Sequence, residues 1–266
     1  MPVSVAYVEL IRIRFLTMLA YRLNYFSGIF TYVIYTGGYY FLWNAVYNHR
    51  ESLGGMTAAQ MTTYLVVSWM TRSFYFNNLD REIAEEIKSG SVAIQLMRPY
   101  SYLISKLFAA LGEGMFRLLF WMIPGMLVAT LLFPVSLPGT PATYGLWALA
   151  GVMAFLVNAL LNTVFGLFTF FLQNAQGLRW AKSLATDLLS GLFLPIHLYP
   201  EWAQVIVRWL PFQTISYLPN MIFTGSLRGS AAWQAIGLQA AWAALLALLT
   251  WRLWLRARRY LVVQGG

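Results

Sequence analysis

The sequence contains no cysteine, only two histidines and only nine acidic residues among its 266 positions. The absence of cysteine excludes disulfide bonds and thiolate catalysis. There is no HExxH sequence, which argues against a zinc hydrolase of that type. Neither GxxxxGKS nor GxxxxGKT is present, so this chain cannot itself supply a P-loop for ATP.

Apolar residues are abundant instead: they make up 59% of the sequence, whereas charged residues make up 10%. In soluble domains, apolar residues make up roughly half of the sequence and charged residues roughly a quarter. A helix needs about 20 apolar residues to cross a bilayer, where backbone polar groups must be satisfied internally. We therefore predict an all-α integral membrane protein, a single domain over 1–266 with six transmembrane helices. The predicted spans are residues 25–47, 57–76, 107–132, 143–172, 176–195 and 231–251.

The net charge of +9 follows the predicted topology rather than a nucleic-acid surface. With the N-terminus inside, 15 of the 18 lysines and arginines fall on the cytoplasmic side, and only Arg50, Arg208 and Arg228 fall outside. This asymmetry is the positive-inside pattern of short loops, and basic residues at the inner face suit anionic head groups. We predict cytoplasmic termini, contact with the lipid bilayer and no binding of nucleic acid.

Residues 3–22 combine apolar and basic side chains at helical spacing. Val5, Val8, Ile11 and Phe15 recur at three- and four-residue steps, and arginines are interleaved with them. This pattern is typical of an amphipathic helix that lies in the membrane interface. The alternative is a helix that simply extends the first span inward.

The longest charged segment lies between the second and third predicted spans. Residues 79–89 predict a short amphipathic helix, since Leu79, Ile83 and Ile87 repeat at four-residue steps and a Ser-Gly pair follows. Such a helix is either a docking surface for a soluble partner or a solvated connector. For docking, the candidate contacts are Arg81, Glu82, Ile83, Glu85, Glu86 and Ile87.

The first two spans carry aromatic and polar residues at helical spacing, so that each set shares one face of its helix. Polar faces in lipid turn toward protein or water. These residues therefore either line a pathway for amphipathic cargo or pack against neighbouring helices. They are Tyr25, Tyr32, Tyr35 and Tyr39 in the first span, and Tyr64 and Ser68 in the second.

Ionisable residues inside the spans are few. Glu113 and Arg117 lie four residues apart in the third span, a spacing that predicts an ion pair. Asp187 in the fifth span is a candidate pathway residue, and the alternative is an ion pair with Lys182 nearby. The following residues, 196–230, are too polar and too rich in proline to cross the bilayer. We expect short external helices or a re-entrant hairpin there.

The order of these parts resembles the membrane-spanning permease of type-2 ABC exporters. Residues 86–117, EIKSGSVAIQLMRPYSYLISKLFAALGEGMFR, are also similar to a motif of one bacterial branch of such permeases. The matching positions are Gly90, Arg98, Pro99 and Arg117. The resemblance implies an interfacial N-terminal helix, six spans, a coupling helix between spans two and three, and external helices between spans five and six.

The resemblance also implies a transport subunit of the bacterial cytoplasmic (inner) membrane rather than an enzyme. ATP and magnesium would bind to a separate ABC ATPase subunit, with no cofactor or metal on this chain. A second permease subunit, identical or related, would complete the complex. The pathway would be lined by spans one, two and five, and its aromatic, weakly charged residues favour a hydrophobic or amphipathic substrate.

Two other classes of function compete with an ATP-driven exporter. A secondary, ion-coupled transporter needs ion ligands at mid-membrane, and the sequence offers almost none beyond Asp187. A lipid-modifying membrane enzyme needs paired carboxylates or histidines at an interface, and no convincing pair is present. The sequence therefore favours a subunit that forms half of the translocation pathway of an ATP-driven exporter.

Overall fold

The computed structural model describes residues 3–20, 22–48, 50–172 and 175–260, and these contain helices but no β-strand. The predicted all-α class is confirmed. In chain order the helices are α1 (Val3–Ala20), α2 (Arg22–Tyr47), α3 (Ala58–Tyr75), α4 (Leu79–Lys88), α5 (Val92–Leu96), α6 (Tyr102–Arg117), α7 (Ile123–Leu132), α8 (Pro141–Leu167), α9 (Gln176–Leu189), α10 (Glu201–Arg208), α11 (Tyr217–Phe223) and α12 (Ser230–Ala257).

Three helical segments are long and apolar enough to cross a bilayer: Tyr102–Leu132, Pro141–Phe170 and Ser230–Ala257. They correspond to the third, fourth and sixth predicted spans. The first of them consists of α6 and α7, joined by the π-helical turn Leu118–Met122. Pro124 follows this turn and cannot donate the regular α-helical hydrogen bond, which accounts for the local change of hydrogen-bond register.

The fifth predicted span, 176–195, contains a shorter helix than expected. α9 has 14 residues, which is roughly 21 Å of helix, against about 30 Å for the hydrocarbon core of a bilayer. It ends at Leu189 because Gly191 adopts a left-handed conformation with φ of +79°. The prediction of one continuous helix over this range is therefore wrong.

Helix α1 packs lengthwise on α6. Gly112 of α6 permits the close approach, because a Cβ at this position would overlap the backbone carbonyl of Ile11. Phe15 packs edge-on against an aromatic ring of α6, with 5.9 Å between the ring centroids. Val5 and Val8 are exposed. Of the predicted apolar face, Phe15 therefore packs on α6, whereas Val5 and Val8 remain exposed.

Helix α8 is the centre of the core and packs against α3, α4, α11 and α12. Gln239 of α12 is fully buried and donates hydrogen bonds to the carbonyls of Ala150 in α8 (3.0 Å) and Thr214 (2.7 Å). Short helices occupy residues 196–230, and α11 packs between α3 and α8. These contacts hold α11 against α3 and α8.

Candidate functional site

Helix α4 begins and ends within one residue of its predicted bounds, but its apolar face is not free. The side chains of Leu79 and Ile83 are fully buried against α8. The helices approach closely at Gly166, where a Cβ would lie 3.0 Å from the Cβ of Ile83. Ile87 is partly buried against the same core. This corrects the prediction of docking contacts at Ile83, since α8 of the same chain already covers it.

Another face of α4 is open. Arg81 and Glu85 are exposed and form an ion pair, with 2.8 Å between Nε and Oε1, and Lys88 is exposed on the same side of the helix. In α5, which follows α4, Ile94 is 59% exposed, and Met97 at the end of α5 is 79% exposed. These five residues are termed the outer α4 surface. Sequence reasoning missed its apolar members, although two apolar residues three positions apart beside a charged helix were a usable signal.

The remaining predicted docking carboxylates, Glu82 and Glu86, are already paired within the chain. Glu86 accepts a hydrogen bond from the hydroxyl of Tyr102 (2.7 Å) and lies 2.5 Å from Nζ of Lys106. Glu82 pairs with Arg14 of α1. Both carboxylates therefore tie α4 to α1 and α6 rather than project toward a partner.

Arg14 joins three helices. Its Nη2 lies 2.7 Å from Oε2 of Glu113 in α6 and also contacts Glu82 in α4. Burial by itself lowers the pKa of Arg14, but the carboxylates of Glu82 and Glu113 outweigh burial, so the pKa is raised. Glu113 also pairs with Arg117, and both side chains are buried, which confirms the predicted pair. Arg117 Nη1 further donates to the carbonyl of Phe76 (2.9 Å). Arg14, Glu82, Glu113 and Arg117 are termed the α1–α6 network.

A cavity of about 570 Å³ lies on the side of α4 away from α1 and α6, between α3, α8 and α9, and is also lined by Arg81, Glu85 and Lys88 of the outer α4 surface. It is termed the α9 cavity. Lys182 of α9 lies 2.9 Å from Oδ2 of Asp80 in α4 and donates to Oδ1 of Asn162 in α8 (2.5 Å). Arg72 of α3 pairs with Asp187 of α9, with 2.6 Å between Nη1 and Oδ1. Polar side chains of four helices therefore meet around the cavity.

The partner of Asp187 is thus Arg72, and the predicted alternative of a pair with Lys182 is wrong. Residues five apart on an α-helix lie roughly 140° apart around its axis. Lys182 and Asp187 consequently face different neighbours, Asp80 and Arg72. The contact between α3 and α9 could not be read from the sequence, because the two residues are far apart along the chain.

The tyrosines of the first predicted span gather around one tryptophan. Trp69 of α3 is buried and stacks on Tyr35 of α2, with 4.8 Å between centroids and 9° between planes. Tyr32 and Tyr39 lie 5.9 Å and 6.1 Å from the same ring, and Phe193, after α9, lies 5.7 Å from it. All three tyrosines therefore pack against Trp69, and Tyr35 remains half-exposed. The side chain of Tyr25 lies outside the described residues.

Tyr64 and Ser68 of α3 are fully buried and face packed protein. The Tyr64 hydroxyl donates to the carbonyl of Gly191. Asn220 of α11 donates to Oγ of Ser68, with 2.6 Å between the atoms. In this conformation these two residues therefore fasten α3 to the end of α9 and to α11. Residues of the predicted spans one, two and five are therefore in contact, and at these positions they pack directly against one another.

The motif residues after α4 have structural roles near its end. Gly90 adopts a φ of +71°, a left-handed conformation that residues with a side chain rarely adopt, and α4 ends just before it. Arg98 and Pro99 are exposed, and Arg98 Nη1 donates to the hydroxyl of Tyr100 (2.7 Å). The fourth motif residue, Arg117, belongs to the α1–α6 network.

Comparison with known proteins identifies the family to which the chain belongs. A sequence profile described as ABC-2 family transporter protein matches residues 33–265, from within α2 to beyond the end of α12. No curated protein and no solved structure matches the chain. The match covers well over half of the sequence and agrees with its long apolar helices. The chain therefore belongs to the ABC-2 family of transporter proteins and is a transmembrane permease.

Proposed function

We propose that the chain is the transmembrane subunit of an ATP-driven ABC exporter in the bacterial inner membrane, where it forms half of the translocation pathway. The observation that carries the proposal is the family match over residues 33–265. The absence of a P-loop sequence supports an ATPase on a separate chain, which would bind ATP and magnesium. A second permease, identical or related, supplies the other half of the pathway.

Helix α4 is the proposed coupling helix, and the outer α4 surface is its proposed contact with the ATPase. The support is mechanical. The buried face of α4 packs on α8, Glu82 connects it to α1, and Glu86 connects it to α6. A displacement of α4 by the ATPase would therefore reach three other helices at once. The exposed Ile94 and Met97 provide the apolar anchors that protein interfaces require.

The proposed pathway runs along the aromatic group around Trp69. Tyr32, Tyr35 and Tyr39 of α2 meet Trp69 of α3 and Phe193 after α9. Flat aromatic surfaces with few charges favour a hydrophobic or amphipathic substrate. Opening the pathway would break the contacts of Tyr64 and Ser68 with the end of α9 and with α11, and would separate Arg72 from Asp187.

The proposal is tested by the ATPase activity that co-purifies with the tagged chain. The double change Ile94→Asp and Met97→Asp places charge in the apolar part of the outer α4 surface. We expect the permease to fold normally, because both side chains are exposed, and to lose most of the bound ATPase activity. Met97→Leu is the matched control and should retain it, because it keeps the apolar area. Full retention of ATPase by the double variant would contradict docking at this surface.

A further inference from the structure

The side chains that line the α9 cavity carry more positive than negative charge, so that basic side chains remain after every acidic one is paired. Eight of its lining side chains are ionisable, five basic and three acidic. Three of the basic residues are neutralised within the cavity by Asp187, Asp80 and Glu85. Among the described residues, Arg179 and Lys88 have no such carboxylate partner. The five basic residues are Arg72, Arg81, Lys88, Arg179 and Lys182.

Arg179 is the more informative of the two unpaired cations. Its Nη1 is buried and has no hydrogen-bond partner in the described part of the chain. Buried donors are nearly always satisfied, and a charged donor left unsatisfied is costly. An anion in the cavity would satisfy it. Because guanidinium presents its donors in a planar fork, phosphate and carboxylate are the anions that it binds best.

The start of α9 adds to the attraction for an anion. The helix begins at Gln176 after Ala175, which has no side-chain oxygen to cap the first turn. Gln176 and Arg179, both in this first turn, line the cavity. The positive end of the helix dipole therefore lies beside the unpaired guanidinium.

An apolar track starts at the same place. Trp180 lines the cavity and is 74% exposed, and Leu184 and Leu188 follow at four-residue steps with exposures of 61% and 49%. The three side chains form one exposed face along α9. A ligand with a charged group at Arg179 could thus lay an apolar chain along this face.

We propose that the α9 cavity binds the phosphate head group of an anionic membrane lipid. Arg179 would bind the phosphate, and the acyl chain would lie along the exposed face formed by Trp180, Leu184 and Leu188. A free phosphate ion shares the head-group chemistry but lacks the chain. The inference goes beyond the proposed function, because it concerns binding by this chain alone, without ATP or a second subunit.

The test is a titration of the purified chain in nonionic detergent with phosphatidylglycerol labelled on its acyl chain, followed by fluorescence anisotropy. We expect tighter binding than for phosphatidylcholine carrying the same label. Arg179→Gln should weaken phosphatidylglycerol binding about tenfold, the effect of losing one charge-assisted contact. Arg179→Lys should retain most of the preference. Arg252→Gln, which removes an exposed arginine of α12 outside the cavity, should change nothing.

A second variant keeps the test decisive if loss of Arg179 disturbs folding. Ser183 is exposed and lines the cavity, so Ser183→Glu adds a repelling charge without removing a contact, and Ser183→Gln is its neutral control. Only the Glu variant should lose the preference for phosphatidylglycerol. Unchanged binding by both Arg179→Gln and Ser183→Glu would overturn the proposal. Displacement of the lipid by an equal concentration of inorganic phosphate would show instead a site for free phosphate, and would overturn the assignment to lipid.

Discussion

The two sides of α4 differ in how their charges are used. On the side of α1 and α6, Arg14, Glu82, Glu113 and Arg117 form one continuous set of ion pairs. On the side of α9, the ion pairs surround a cavity in which Arg179 has no carboxylate partner among the residues that the structure describes. The first arrangement holds helices together, and the second leaves room and charge for a ligand. One short helix thus separates a mechanical joint from a proposed binding site.

The largest effect is expected from breaking the α1–α6 network at Glu113. Glu113→Gln leaves Arg117 buried without its carboxylate and removes one of the two partners of Arg14. Loss of one member of a buried pair costs about 3 kcal/mol or more. We expect a marked fall in the thermal unfolding midpoint of the purified protein.

The matched control for this change is Glu9→Gln, which removes the same charge from the exposed pair with Arg12. Exposed pairs contribute at most about 1 kcal/mol. Equal midpoints for the two variants would show that the network is not the mechanical joint described here.

A smaller effect is expected on the cavity side at Lys182. Lys182→Met leaves Asp80 without its cation, but Asp80 borders a cavity of about 570 Å³ that water can enter. We expect the free energy of unfolding, measured by denaturant titration, to fall by about 2 kcal/mol rather than by the full cost of a buried unpaired charge. Adding Asp80→Asn should cost less than the sum of the single changes, because the pair is already broken. Strict additivity in this double-mutant cycle would argue against a direct pair.

The smallest effect concerns the attachment of α4 itself. In Gly166→Ala the new Cβ would lie 3.0 Å from Ile83 Cβ and 3.1 Å from the backbone Cα of Asp80. Gly151, also in α8, has no atom within 4 Å of such a Cβ. We expect Gly151→Ala to stabilise the helix by up to about 1 kcal/mol. Gly166→Ala should lose this gain and destabilise by about 1 kcal/mol, because α4 must shift.

Thermal midpoints of the two glycine variants, measured side by side, check this prediction. A midpoint for Gly166→Ala as high as that for Gly151→Ala would show that α4 moves freely on α8. Such a result would weaken the argument that displacement of α4 reaches the core.

Local patterns predicted local structure well. The four-residue repeat of Leu79, Ile83 and Ile87 correctly indicated α4, and the spacing of Glu113 and Arg117 correctly indicated their ion pair. Both depend only on contacts within one or two helical turns. The end of α9 was predicted six residues too late, because the apolar residues continue past Leu189 although the backbone turns at Gly191.

Contacts between distant residues could not be predicted in the same way. Arg14 looked like one of several interfacial arginines, yet it pairs with carboxylates that lie 68 and 99 residues away. Trp69 carried no signal of its own, although three tyrosines and a phenylalanine gather around it. A single sequence does not contain these pairings, because many arginines and aromatic residues have equivalent local surroundings.

The sequence by itself determined the helical class, the membrane character and the existence of an amphipathic helix after α3, since hydropathy and helical periodicity follow directly from residue order. Only the tertiary structure decided what the faces of that helix contact. Burial of Ile83 against Gly166 removed one predicted docking contact, and pairing of Lys182 with Asp80 left Arg179 Nη1 without a hydrogen-bond partner among the described residues. Both outcomes depend on which helices become neighbours, and that choice is made by tertiary packing.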